Sequence, residues 1–151
     1  MLDDTDRRIL RYYQSDPDMS ASILAEQAGV TATTLSRRLE RMRDIGVLKG
    51  VRSVINWPAL GYEVEVSLRV TLDKTQPRAF DEFIAAARQV AEVIEIQTFL
   101  GQVDVRLSVI ARDMAHYQQL YRDQLLVLPH INDIEALMQV ARVKGQESLP
   151  L

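Results

Sequence analysis

Cysteine is absent from the 151 residues, which excludes a disulfide framework, a thiol nucleophile and a thiolate metal site. That absence fits a cytoplasmic protein. Long hydrophobic runs are missing too: nowhere do the roughly 18 consecutive apolar residues of a membrane span occur, so no membrane partner is expected. The opening Met-Leu-Asp-Asp has no basic-then-apolar leader, and no secretory signal is expected. Histidine is confined to His116 and His130, with no neighbouring Cys, His or carboxylate at zinc-binding spacing. No glycine-rich phosphate loop, G-x-S-x-G elbow or nucleophile and base pair stands out, so neither catalysis, cofactor nor metal is expected. Aromatic residues make up only 6% of the chain, and Trp57, Phe80, Phe83 and Phe99 suit linker, core or interface packing better than base stacking.

What the chain does have is a helix-turn-helix between Ser20 and Asp44. Ser20 through Ala28 reads as a short helix with a serine cap, Gly29 can turn left-handed at its end, and Thr31 can cap the helix that follows. A small Ala25, a glycine four residues later and Leu35 six beyond that match a tight two-helix corner. At about 100° per residue, Leu35, Leu39 and Met42 share one narrow sector and should face a core. Thr33, Arg37, Glu40, Arg41 and Asp44 then point the other way, Thr34 lies beside Arg41, and Ser36, Arg38 and Arg43 flank them. Such a face can simply be solvated. Local charge favours DNA: six basic residues, Arg37, Arg38, Arg41, Arg43, Lys49 and Arg52, stand against Glu40 and Asp44 between Ser36 and Arg52. The net charge of −3 hides this, because residues 1–60 carry nine basic and eight acidic groups and residues 61–151 carry nine and thirteen.

The remaining pattern divides the chain. A first helix is predicted from about Asp3 to Gln14, with Ile9, Leu10 and Tyr13 inward and a turn at Ser15-Asp16-Pro17-Asp18. Gly46–Ile55, with two glycines and β-branched residues, predicts a wing of two short strands, and Asn56–Gly61 a linker. Val64, Val66, Leu68, Val70 and Leu72 alternate with polar residues as a half-buried strand. Residues 77–91 take a helical period with Phe80, Phe83, Ile84 and Ala87 inward. Strands follow at Val93–Leu100 and Asp104–Ala111, joined at Gly101-Gln102-Val103. A helix from about Asp113 to Val127 should bury Met114, Tyr117, Tyr121 and Leu125, and a last strand should run from about Ile131 to Val143. The expected fold class is α+β: a winged helix-turn-helix over residues 1–50, a wing strand and linker over 51–61, and a ferredoxin-like βαββαβ domain over 62–151. The sheet face away from the helices is expected to mediate self-association.

Several segments together resemble the Lrp/AsnC, or feast/famine, family of transcription regulators over nearly the whole chain. They are Leu2–Leu10, Leu24–Val30, Arg37–Met42, Gly46–Gly50, Gly101–Asp104 and Leu128-Pro129. The resemblance implies a DNA-binding head, a ferredoxin-like domain for assembly and amino-acid sensing, homodimers that build octamers, and an effector bound between dimers. It places the effector loop at Gly101, Gln102, Val103 and Asp104 and brings the last strand, with Ala136 and Met138, near it. Turn amides there could hold a carboxylate and Asp104 an ammonium; a plain hairpin with Asp104 as an edge charge is the other reading.

Two departures stand out. Ala136 and Met138 occupy a stretch where the family often has hydroxyl residues, so the effector could be apolar, aromatic or absent. His130 follows Leu-Pro where glycine is usual, and reads as a surface turn residue. The candidate DNA-contacting set is Thr31, Thr33, Thr34, Ser36, Arg37, Arg38, Arg41, Lys49 and Arg52. Thr33, Thr34 and Arg37 are expected to read bases, and Arg38, Arg41, Lys49 and Arg52 chiefly to hold phosphates of double-stranded DNA. A regulator is the leading expectation. An architectural, nucleoid-type DNA-binding protein without effector is the alternative, and a metabolite-binding subunit that has lost DNA contact is a weaker third.

Overall fold

A computed structural model describes residues 1–145 and 148–151. It divides into two compact units, Met1–Val54 with Lys144–Leu151, and Ile55–Val143. Among the described residues, 144–145 and 148–151 thus fall with the first unit. No helix among the described residues is long and apolar enough to cross a membrane.

The first unit holds α1 (Asp4–Ser15), α2 (Ala21–Ala28) and α3 (Ala32–Asp44). Each starts where a side chain satisfies an otherwise open amide. Asp3 accepts from the Asp6 backbone N–H while Asp6 accepts from that of Asp3, and Ser20 and Thr31 cap α2 and α3. Gly29 sits at φ 65°, ψ 40°, and the Val30 N–H reaches back to the Ala25 carbonyl, which closes α2 and aims the chain into α3. Ile9, Leu24, Ala25, Ala28, Leu35 and Met42 form the buried core, with Leu10, Tyr13 and Leu39 packed at its edge. The expected wing differs. Residues 46–55 contain no strand, and Val47, Val51, Val54 and Ile55 stand exposed, because no second strand lies alongside to take their backbone groups.

After a 3₁₀ turn at Trp57–Leu60, the second unit runs β1 (Val64–Leu72), α4 (Ala79–Ala87), β2 (Val93–Thr98), β3 (Val105–Ala111), α5 (Met114–Leu120) and β4 (Ile131–Met138). The sheet order is β2-β3-β1-β4, every pair antiparallel, which is the ferredoxin-like arrangement. Val66, Leu68, Val70 and Leu72 of β1 and Val105, Leu107 and Val109 of β3 pack with Phe83 and Ala87 of α4 and Tyr117 and Leu120 of α5. The opposite face is polar: Arg69 lies across from Arg106, and each meets a carboxylate on an outer strand, Glu135 at 3.8 Å and Glu95 at 3.1 Å.

Several expected details shift. Phe80 and Met114 are 44% and 42% exposed rather than inward: α4 buries the Ala79, Phe83 and Ala87 row and α5 buries Tyr117 and Leu120, which leaves Phe80 and Met114 on the flanks. α4 is shorter than residues 77–91. α5 widens at Tyr121–Leu125 into a π turn, and β4 stops at Met138, opposite Val66 near the start of β1. His130 adopts φ 64°, the left-handed conformation that glycine adopts without strain, and its Nε2 lies 2.6 Å from Glu82 Oε2.

Candidate nucleic-acid interface and effector loop

On α3, Thr33, Ser36, Arg37 and Arg41 are exposed while Leu35 and Met42 are fully buried. Anchoring residues and outward polar residues therefore occupy opposite sides, as the 3.6-residue period requires. Thr31 secures the start of the helix. Its Oγ1 accepts from the Thr34 backbone N–H at 3.2 Å and donates to Thr34 Oγ1 at 2.9 Å. Among the described residues, Arg37, Lys49 and Arg52 form no salt bridge, which leaves their charge available. Lys49 and Arg52 lie on the strandless segment after α3, at the rim of a cavity of about 510 Å³ that Leu10, Tyr13, Leu149 and Leu151 also line. Gln14 holds Leu149 there with two backbone bonds, accepting at 2.8 Å and donating at 2.9 Å.

Arg38 and Arg41, unlike Arg37, Lys49 and Arg52, are paired with acids of the same unit. Arg38 Nη1 lies 2.7 Å from Asp3 Oδ2 and 2.9 Å from Asp6 Oδ1, and Arg41 Nη2 pairs with Asp6 Oδ2. Asp6 is buried. Burial alone would push its carboxyl up, yet the Asp3 amide, Arg38 and Arg41 together outweigh that and lower it to about 2. Asp3 is lowered as well, chiefly by the Arg38 hydrogen bond, and the pair of carboxylates raises Arg38 in turn. These acids were not identified from sequence. The signal available was the D-x-x-D spacing of Asp3 and Asp6, which forms a capping box, but nothing in it points to residues 35 positions away.

In the second unit the Gly101–Asp104 turn packs beside the end of β1. Asp104 Oδ2 accepts from the Leu72 N–H at 2.8 Å, its Oδ1 faces Lys74 Nζ at 3.6 Å, and the Gln102 carbonyl accepts from Thr71 Oγ1 at 3.1 Å. Ala136 and Met138 are elsewhere. They pair with Leu68 and Val66 on the far side of β1 from β3. At about 3.3 Å per residue they lie about 10 and 16 Å along β1 from Thr71, so one protomer does not join the two sets. Each histidine has its own local partner: His116 Nδ1 accepts from the Arg112 N–H at 3.1 Å, and His130 meets Glu82.

A capped helix-turn-helix with a basic outer face, followed by a ferredoxin-like unit, has the make-up of a two-domain DNA-binding regulator. The sequence model of the Lrp/AsnC ligand binding domain matches residues 65–149, and that of a winged helix-turn-helix DNA-binding domain matches residues 2–49. The chain belongs to the Lrp/AsnC family of transcription regulators. It is 31% identical to the leucine-responsive regulatory protein of Haemophilus influenzae over 99% of this chain and 90% of that protein. Its identity to the proline dehydrogenase transcriptional activator of Rhodobacter capsulatus is 29%, over 98% and 96%. A transcriptional regulator of Neisseria meningitidis, solved as a complex with L-methionine, superposes with a TM-score of 0.91 at 23% identity, covering 99% of this chain and 97% of that one.

Proposed function

We propose that the protein reads a near-palindromic operator as a dimer, with one α3 in each of two successive major grooves. Thr33, Thr34 and Arg37 contact base edges, Ser36 supports them from the flank, and Lys49 and Arg52 hold phosphates. The observation that carries this reading is the exposed Thr33–Ser36–Arg37 face on a helix capped by Thr31 and anchored through Leu35 and Met42. Exposed apolar residues at Val47, Val51, Val54 and Ile55 favour a second copy of the chain as the partner, and four such dimers form the octamer. The assembly works in the cytoplasm.

The effector is an amino acid. Supporting this are the ligand-binding domain matched at residues 65–149 and the L-methionine complex of the Neisseria relative. Gly101, Gln102, Val103 and Asp104 of one chain hold its carboxylate and ammonium, and Ala136 and Met138 of another line the side-chain end, which selects an apolar side chain. The test is binding to genomic DNA fragments, the upstream region of its own gene included, at fixed salt and with a panel of amino acids. The expected result is a footprint at least ~10³ tighter than on random DNA, shifted by one apolar amino acid. Binding with little sequence preference and no response to any amino acid would describe an architectural protein instead.

A further inference from the structure

Asp3 and Asp6, at the start of α1, take all the ion pairs that Arg38 and Arg41 form among the described residues. The two acids differ in access. The Asp6 side chain is wholly buried, whereas that of Asp3 is 55% exposed. Arg38 Nη1 reaches both Asp3 oxygens, at 2.8 and 2.7 Å, while its buried Nε has no partner. Asp3 also rims an open cavity of about 300 Å³ whose other lining residues are Arg37, Arg38 and Arg41. Three guanidinium groups and one solvent-accessible carboxylate thus share one opening on the same helix as the base-reading face. A carboxylate and a phosphate present oxygens of similar spacing to a guanidinium, so a phosphate that takes the Nη1 edge of Arg38 must displace Asp3 from it.

We propose that the Arg38–Arg41 side of this opening seats a phosphate of the DNA backbone, with Arg37 at its rim left to the bases, and that Asp3 is the internal competitor for that seat, holding down affinity for random DNA. The proposal rests on the reading of α3 as the DNA-facing helix. A loosely docked duplex gains too little to displace Asp3, and Arg38 stays spent on the protein. Asp6 remains in place throughout and keeps Arg38 and Arg41 aimed at the opening.

Asp3→Asn separates the charge from the cap, because asparagine caps a helix about as well as aspartate. Salt titrations of the full chain on random-sequence duplex DNA would compare wild type, Asp3→Asn and Asp4→Asn, an exposed neighbour with the same change in net charge and no arginine contact. One freed arginine should steepen the salt slope of Asp3→Asn by about 0.9, so that a four-fold rise in salt costs about 3.5 times more affinity than in wild type. Asp4→Asn should leave the slope unchanged, and adding Arg38→Gln to Asp3→Asn should restore it. An Asp3→Asn slope equal to wild type, equal shifts in both asparagine variants, or a steep slope that survives Arg38→Gln would each overturn the competitor. A wild-type chain that binds no duplex DNA at all would instead remove the DNA-facing reading beneath it.

Discussion

Asp6 carries an ionised group in the core of the head, and its surroundings decide what that does for stability. A buried carboxylate is unfavourable alone, but here two arginines and a backbone amide satisfy it. Its folded pKa of about 2 lies below the ordinary 3.8, so its stabilising effect is complete above the ordinary value and is lost as pH falls through about 2. Asp6→Asn should therefore lower the stability of the head at neutral pH by about 2 kcal/mol or more, and the deficit should shrink below pH ~3. Denaturant melts of both proteins at the two pH values measure this; a deficit that stayed constant with pH would place the loss in packing instead. His130 offers a test of opposite sign. It sits at φ 64° and meets Glu82, so His130→Ala loses the contact and keeps the strain, while His130→Gly loses the contact and relieves the strain. The glycine variant should melt higher than the alanine variant by the equivalent of about 1 kcal/mol.

Helix starts and ends explain which elements could be read from sequence. Thr31 caps α3, and Thr31→Ala should cost about 1 kcal/mol of head stability whereas Thr31→Ser should cost little. If thermal melts showed alanine and serine variants equally stable, the cap would not matter and a direct DNA role for Thr31 would regain ground. Ser20, Gly29 and Thr31 made the α2–α3 corner legible because capping and left-handed turns depend on one or two residues in sequence. Alternation in β1 likewise revealed a strand buried on one face. What sequence left hidden depends on distant partners. The Arg38–Asp3 pair joins residues 35 apart, and the Leu149–Gln14 pairing spans 135. Periodicity gave Phe80 and Met114 the same phase as buried residues, yet which row of each helix meets the sheet, Ala79, Phe83 and Ala87 in α4, is set by tertiary packing. The wing strands failed for a related reason: β-branched residues mark a chain that can pair, and pairing also needs a neighbour.

Across the whole molecule, the separation between the Gly101–Asp104 turn and the Ala136 and Met138 positions dictates how the proposed effector site must be assembled. β4 lies on the other side of β1 from β3, and Met138 pairs with Val66 while Asp104 anchors at Leu72. A small amino acid cannot span the ~16 Å between Thr71 and Met138 along β1, so a complete site takes its turn from one chain and its strand from another. This predicts complementation between chains. Asp104→Asn keeps an acceptor for the Leu72 N–H but removes the charge that would face a ligand ammonium, and Met138→Asp spoils the apolar wall. Neither variant alone should respond to the amino acid that shifts the wild-type footprint. Unfolded together and reassembled in equal amounts, they should recover about a quarter of the wild-type sites, those that draw the turn from the Met138→Asp chain and the strand from the Asp104→Asn chain. Calorimetric titration counts the sites directly. No recovery on mixing, with both variants folded and assembled as wild type, would mean that turn and strand do not build one site across chains, and the effector would have to be sought at one of them alone.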